Sequence, residues 1–127
     1  PGSSAFYLGS VVAYSNSVKH SVLGVSQTNL DTFGAVSEQV AREMAEGVRR
    51  LCGTDYAIAT SGIAGPDGGS PEKPVGTVWM AWATPQGTTA ECFHLGKLRD
   101  QITDRASTQA LIRMIRIINE ECIIHNA

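Results

Sequence analysis

The chain has 127 residues, of which 43% are hydrophobic and 17% charged, and its formal net charge is −2. A chain of this length forms one domain with its own core. The slightly acidic balance argues against nucleic acid as a partner, because nucleic-acid-binding domains carry basic patches. No apolar run approaches the length of a membrane-spanning helix, so we expect no membrane partner either.

The cysteines indicate the compartment of the protein. Cys52, Cys92 and Cys122 are scattered, odd in number and without a CxxC pair. This pattern favours a reducing, cytoplasmic setting over a disulfide framework or a structural zinc site. Cys92 and His94 could share a metal ion, but no further ligands cluster with them. We therefore expect a cytoplasmic protein without a metal or a cofactor.

The first predicted elements are short. Residues 11–14 are apolar and predict a strand. Residues 15–23 predict a short helix, with Ser15 or Ser17 as its N-cap and Gly24 at its end. Residues 26–33 are polar and are interpreted as a turn-like connection.

The clearest helix begins near Ser37 and ends at Gly53. Its apolar residues recur every three or four positions and so form one stripe. They are Val36, Val40, Met44, Val48 and Leu51.

Three strands are predicted next, over residues 56–61, 77–83 and 88–93. The second places Trp79 and Trp82 on opposite faces, so we expect both of its faces to be covered. The turn at residues 85–87 predicts a hairpin between the second and third strands.

A linker over residues 94–98 leads to a long helix from about Asp100, whose apolar stripe is wide. A stripe of this width belongs to a buried helix or to an oligomer interface, and core packing is the preferred interpretation. Strands alternating with helices predict an α/β domain of three layers.

The connection between the first two of these strands is rich in glycine: Gly62, Gly65, Gly68 and Gly69. Glycines beyond a strand end let backbone N–H groups face a ligand, and ligands of α/β sheets bind at such ends. The P-loop and the dinucleotide fingerprint are both absent. From the loop alone, a plain hairpin or crossover loop rich in glycine and proline remains an equal alternative.

Four ordered segments resemble one family, the CinA carboxy-terminal domain or nicotinamide-nucleotide amidases: PGSSAF, GSVVAYSNSVKHSVLGV, GAVSEQVAREMAEGVR and SGIAGPDGGSPEKPVGTVW. The resemblance implies a three-layer α/β/α domain with a mixed sheet. It also implies hydrolysis of nicotinamide mononucleotide to nicotinate mononucleotide and ammonia.

By the same resemblance, Ser4 falls at the family's nucleophilic serine, and Tyr14 and Lys19 match the tyrosine and lysine of its YSNxxK motif. We expect Ser4 to be the nucleophile, Lys19 the base and Tyr14 a relay or an orienting donor. A lysine acts as a base only when burial or a nearby cation lowers its pKa. The alternatives are a loop serine, a strand-capping tyrosine and a solvated lysine. The Tyr/Lys pair of short-chain dehydrogenases is rejected, because the spacing here is five and the dinucleotide fingerprint is missing.

The resemblance also implies the substrate-binding residues. Ser61, Gly62 and Gly65 would contact the nucleotide, and Arg99 would bind its phosphate. The alternative for Arg99 is a surface ion pair with Asp100 or Asp104. Lys73 is a further cationic candidate, for which a mobile loop lysine is the preferred interpretation.

The chain departs from the family at its start. Relatives begin further upstream, with a helix, a strand and an ESCTGG-like segment, so we interpret residues 1–127 as a single domain that is incomplete at its N-terminus. Two other functions remain open: a non-catalytic nucleotide-binding or regulatory domain, and an oligomerisation module. A homo-oligomer is expected, with a dimer preferred.

Overall fold

The computed structural model describes residues 1–126. A 3₁₀ turn at Ser3–Ala5 comes first. The elements that follow are α1 (Asn16–Ser21), α2 (Gln27–Phe33), α3 (Glu38–Cys52), β1 (Ala57–Gly62), β2 (Thr77–Thr84), β3 (Gly87–His94) and α4 (Arg99–Asn126). The strand and helix types confirm the predicted α/β class. No helix within residues 1–126 is long and apolar enough to cross a membrane.

The three strands form one sheet in the order β1-β2-β3. Both pairs are antiparallel, so the mixed sheet that was expected is not found among residues 1–126. Helix α3 packs on one face of this sheet and α4 on the other. The predicted three layers are therefore present, with β2 at their centre.

Strand β2 is buried on both faces, as its alternation predicts. Trp79 packs with the core on the α3 side, whereas Trp82 packs with Ile102 and Met114 on the α4 side. Trp82 is fully buried, and its indole N–H donates to the carbonyl of Ala110 at 3.0 Å. A buried tryptophan needs such a partner, and this bond anchors the middle of α4 to the sheet.

The prediction of a turn-like connection over residues 26–33 is wrong, because these residues form α2. The Ser26 hydroxyl accepts from the Asn29 N–H as an N-cap, and Leu30 is buried. The Glu43 carboxylate of α3 accepts from the Ser26 N–H at 3.1 Å and from the Asn29 side-chain amide. Capping and these distant hydrogen bonds stabilise a helix too polar to show an apolar stripe.

The predicted strand over residues 11–14 is also wrong. These residues keep the alternation of a strand, with Val11 and Ala13 packed against the core while Val12 and Tyr14 are 87% and 92% exposed. No strand among residues 1–126 pairs with them. An extended segment without a neighbouring strand has no ladder to join.

The predicted helix ends are confirmed. The hydroxyls of Ser15 and Ser37 cap α1 and α3, respectively. Gly24 (φ 72°) follows α1, and Gly53 (φ 65°) ends α3. The segment after α1 lies tightly on α3, since a Cβ at Gly47 would stand 1.9 Å from the carbonyl oxygen of Leu23.

Helix α4 is buried along one side only. Ile102, Ala110 and Met114 belong to the core, whereas Leu111 and Ile115 are each 60% exposed. Core packing therefore accounts for one face of the wide apolar stripe, and the other face remains open in residues 1–126.

Candidate functional site

Lys19 is the most unusual charged residue of the chain. It lies in α1 and is only 6% exposed. Its ammonium donates to the carbonyl of Ala13 at 2.7 Å and to that of Tyr14 at 3.4 Å. No ion pair joins it to a carboxylate among residues 1–126. Burial lowers the pKa of Lys19, which favours the neutral amine that a base must be.

Ser4 and Tyr14 stand apart from this lysine in their side-chain contacts. Ser4 lies in the exposed 3₁₀ turn, and its hydroxyl has no hydrogen-bond partner among residues 1–126. Tyr14 projects its ring into solvent and offers Lys19 its carbonyl rather than its hydroxyl. The structure therefore buries Lys19 but does not join the three predicted catalytic side chains in one hydrogen-bonded set.

The glycine loop, residues 63–76, is folded onto itself. A Cβ at Gly65 (φ 76°) would lie 2.6 Å from the side chain of Val75. A Cβ at Gly76 (φ 96°) would lie 2.0 Å from the carbonyl oxygen of Gly96. The loop needs glycine at both positions for its own packing, apart from any ligand. Its backbone is therefore held in one compact shape.

Ser61 is the second-last residue of β1, just before this loop, and is 9% exposed. Its hydroxyl donates to the carbonyl of Ala35 at 2.7 Å. Because the single hydroxyl proton is used in this bond, the free lone pairs of the oxygen can only accept a hydrogen bond. Ser61 is thus arranged to receive an N–H or O–H donor. Gly62 follows it directly along the strand.

Arg99 is the first residue of α4 and reaches the glycine loop. One of its guanidinium N–H groups donates to the carbonyl of Gly65 at 2.8 Å. It makes no ion pair with Asp100 or Asp104, which was the alternative. Its other N–H groups have no partner among residues 1–126, so the guanidinium can still bind an anion beside the loop.

Sequence reasoning missed the place of Lys73. Its ammonium donates to the carbonyl of Phe33 at the end of α2. The two residues are 40 positions apart. The sequence offered no signal for this contact, because residues 26–33 were interpreted as a turn without a helix end.

No group of three or more metal-ligating side chains comes together in the described part of the chain. Burial raises the pKa of the Cys92 thiol, which disfavours the thiolate that would ligate a metal or attack a carbonyl.

The fold and these groups define a class: a three-layer α/β domain with a buried lysine in α1, and with an arginine at the start of α4 that contacts a compact glycine loop. The family model of the CinA C-terminal domain matches residues 1–118. The chain therefore belongs to the CinA C-terminal domain family.

Individual relatives agree with this assignment. The chain is 58% identical over 86 residues to a protein of Enterobacter agglomerans named nicotinamide-nucleotide amidohydrolase PncC, covering 68% of this chain and 52% of that protein. It is 49% identical over 106 residues to a CinA-like protein of Gloeothece citriformis, covering 83% of this chain but 25% of the relative. The chain thus spans between a quarter and about half of the length of these relatives.

A solved structure has the same fold. The competence damage-inducible protein A of Klebsiella pneumoniae superposes with a TM-score of 0.85 at 37% sequence identity, over 89% of this chain and 70% of that one. The expected family and fold are thereby confirmed, whereas the roles of the individual site residues stay predictions.

Proposed function

We propose that the chain is a cytoplasmic, metal-free amidohydrolase that converts nicotinamide mononucleotide to nicotinate mononucleotide and ammonia. Its family and the name of the Enterobacter relative support this reaction class. The observation that carries the proposal is the burial of Lys19 without a carboxylate partner among residues 1–126. Burial lowers the pKa of this amine and so favours the neutral form, which can take a proton from a nucleophile.

The proposed chemistry begins at Ser4. Its hydroxyl attacks the carboxamide carbon while Lys19 takes the hydroxyl proton, with Tyr14 as relay. The protonated lysine then gives this proton to the departing nitrogen, and ammonia leaves an acyl-enzyme. Water hydrolyses the ester, again with Lys19 as base. Ser4 and Lys19 are not hydrogen-bonded in the free chain, so the proposed proton transfer requires a rearrangement on substrate binding or a bridging water.

The glycine loop and Arg99 would bind the substrate. Arg99 would bind the phosphate through its free N–H groups, and the backbone of Gly62 and Gly65 would line the nucleotide. Ser61 would accept a hydrogen bond from the carboxamide NH₂. The product carboxylate has no N–H to offer at that position, so an acceptor-only hydroxyl favours substrate over product.

A second candidate is a non-catalytic domain that binds the nucleotide. It is favoured by the exposure of Ser4 and Tyr14 and by the lack of a bond from either hydroxyl to Lys19. An oligomerisation role is favoured by the open apolar face of α4 around Leu111 and Ile115. We propose a homodimer formed through this face, which is compatible with either function.

Ammonia release separates the candidates. The purified chain is incubated with nicotinamide mononucleotide, ammonia is measured by a coupled assay, and nicotinate mononucleotide by chromatography. The amidase yields both in equal amounts, and treatment with EDTA leaves the rate unchanged. Calorimetric binding without ammonia indicates the second candidate.

A further inference from the structure

Two side chains from the region of the glycine loop reach the same short stretch of backbone. The Lys73 ammonium donates to the carbonyl of Phe33, and the Ser61 hydroxyl donates to the carbonyl of Ala35. Both acceptors lie where α2 ends and turns into α3. This stretch, residues 33–35, is therefore the anchor of the loop on the α3 side of the sheet.

The opposite side of the loop is anchored on the other layer. Arg99, at the start of α4, donates to the carbonyl of Gly65, and the Leu95 N–H donates to that of Gly76. Helices α2 and α4 belong to different layers of the domain. The glycine loop therefore contacts both layers of the domain, and the Lys73 side chain makes its contact with α2.

The Lys73 contact is electrostatically favourable. The ammonium faces the carbonyl end of a helix, where the partial charge is negative, and hydrogen bonds from charged donors are roughly twice as strong as neutral ones. Lys73 is half-buried and makes no ion pair with a carboxylate among residues 1–126.

We propose that Lys73 is a positioning residue of the amidase site: by tying the glycine loop to α2, it holds Gly65 and Ser61 in place for the nucleotide. This inference rests on the proposed function. Lys73 does not touch the reacting atoms in this role. It acts through the loop, whose ordering before binding reduces the entropy lost on binding.

The test compares three variants. Lys73→Met removes the donor and keeps the length of the side chain. Lys73→Arg restores a charged donor. Lys97→Met is the matched control, because Lys97 is exposed and makes no hydrogen bond or ion pair among residues 1–126. Steady-state kinetics with nicotinamide mononucleotide and amide hydrogen exchange over residues 63–76 are measured for each.

Lys73→Met is expected to raise KM about tenfold, the loss expected for one charged hydrogen bond, with kcat changed less than about threefold. The amides of Ser70 and Gly76, which are hydrogen-bonded within the loop, should exchange faster. Lys73→Arg should restore both values to within about threefold of wild type. Lys97→Met should match wild type in both.

Hydrogen exchange is measured without substrate, so it tests the effect of the Lys73–Phe33 contact on the loop independently of turnover. Unchanged exchange in Lys73→Met, or a fall in kcat with KM unchanged, would overturn the positioning role. If the wild type releases no ammonia, the amidase proposal fails and calorimetric Kd values for the mononucleotide replace KM. A higher Kd and faster amide exchange of the loop in Lys73→Met would then still support the role of the contact between Lys73 and Phe33.

Discussion

The two sides of the candidate site are built differently. The glycine loop is held by hydrogen bonds from Lys73 and Arg99, and it packs closely on itself. The N-terminal stretch, residues 1–14, carries Ser4 and Tyr14 but is largely exposed and joins no strand among residues 1–126.

The glycine loop and the N-terminal stretch would therefore have different roles, one in binding the nucleotide and the other in the reaction. The side that would recognise the nucleotide is already ordered, whereas the side that would supply the nucleophile is not yet arranged for attack. Lys19 is buried in α1, and its ammonium donates to the N-terminal stretch at the carbonyls of Ala13 and Tyr14. Binding and turnover should therefore respond to different substitutions.

The largest effect is expected at Ser4. Ser4→Ala removes the proposed nucleophile and should lower kcat by about 10³-fold or more, with binding of the mononucleotide retained. Ser3→Ala is the matched control from the same 3₁₀ turn. Ammonia release and calorimetric Kd are measured for both. If Ser4→Ala keeps wild-type turnover, Ser4 is not the nucleophile, and the contrast between the two sides of the site does not hold.

The next effect is expected at Lys19. Lys19→Arg keeps a cationic donor but cannot act as a base, because a guanidinium does not lose its proton in proteins. We expect kcat to fall about 10²–10⁴-fold.

The pH profile of the wild type sharpens this test. A base works only when deprotonated, so kcat/KM should rise with pH through the Lys19 pKa, whose midpoint burial sets below the ordinary 10.5. A midpoint at 10.5, or an active Lys19→Arg, would contradict the assignment.

A smaller effect, confined to binding, is expected at Arg99. Arg99→Lys keeps a donor for the carbonyl of Gly65 but loses the bidentate geometry for phosphate. KM for the mononucleotide should rise about tenfold with kcat nearly unchanged. Nicotinamide riboside lacks the phosphate and serves as the control substrate, on which the variant and the wild type should be equal. An equal loss on both substrates would mean that Arg99 acts only through the loop.

The smallest effect is expected far from both sides, at Tyr56. Its hydroxyl donates to Glu121 at 2.7 Å, and chiefly this bond raises the pKa of Tyr56 from 10.0 to about 12. Tyr56→Phe should lower the free energy of unfolding by about 1 kcal/mol at pH 7 and leave turnover unchanged.

The sign of its pH dependence follows from the raised pKa. The folded chain favours the protonated phenol, so the stabilisation is complete below pH 10 and is lost as the pH rises toward about 12. Urea unfolding of both proteins across this range measures it. If the difference in the free energy of unfolding between wild type and Tyr56→Phe does not change with pH, the hydrogen bond to Glu121 is not the source of the stabilisation.

Local signals predicted much of the fold. The capping serines, the terminal glycines and the alternation of Trp79 and Trp82 gave two helices and the two-sided burial of β2. Helix α2 was missed because its stability comes from Glu43, which lies 14 to 17 residues away. The prediction of a strand over residues 11–14 was wrong for the opposite reason. Its alternation is a local pattern, but a strand also needs a neighbouring strand with which to pair.

The site was less predictable than the fold. Its residues were found by resemblance, but their environments depend on contacts between distant parts of the chain. Lys73 is 40 residues from the carbonyl that it binds, and Arg99 is 34 residues from Gly65. Such pairings arise only when the layers have assembled, so neither spacing nor residue type could indicate them.

The contact of Gly47 with Leu23 couples α3 to the segment that follows the proposed base. A larger residue at position 47 would push the backbone at Leu23 away from α3. That backbone leads to Val25, whose N–H donates to the carbonyl of Lys19 at 3.0 Å. If Lys19 is the base, a displacement that exposed it to water would raise its pKa toward the ordinary 10.5 and shift the proposed activity to higher pH.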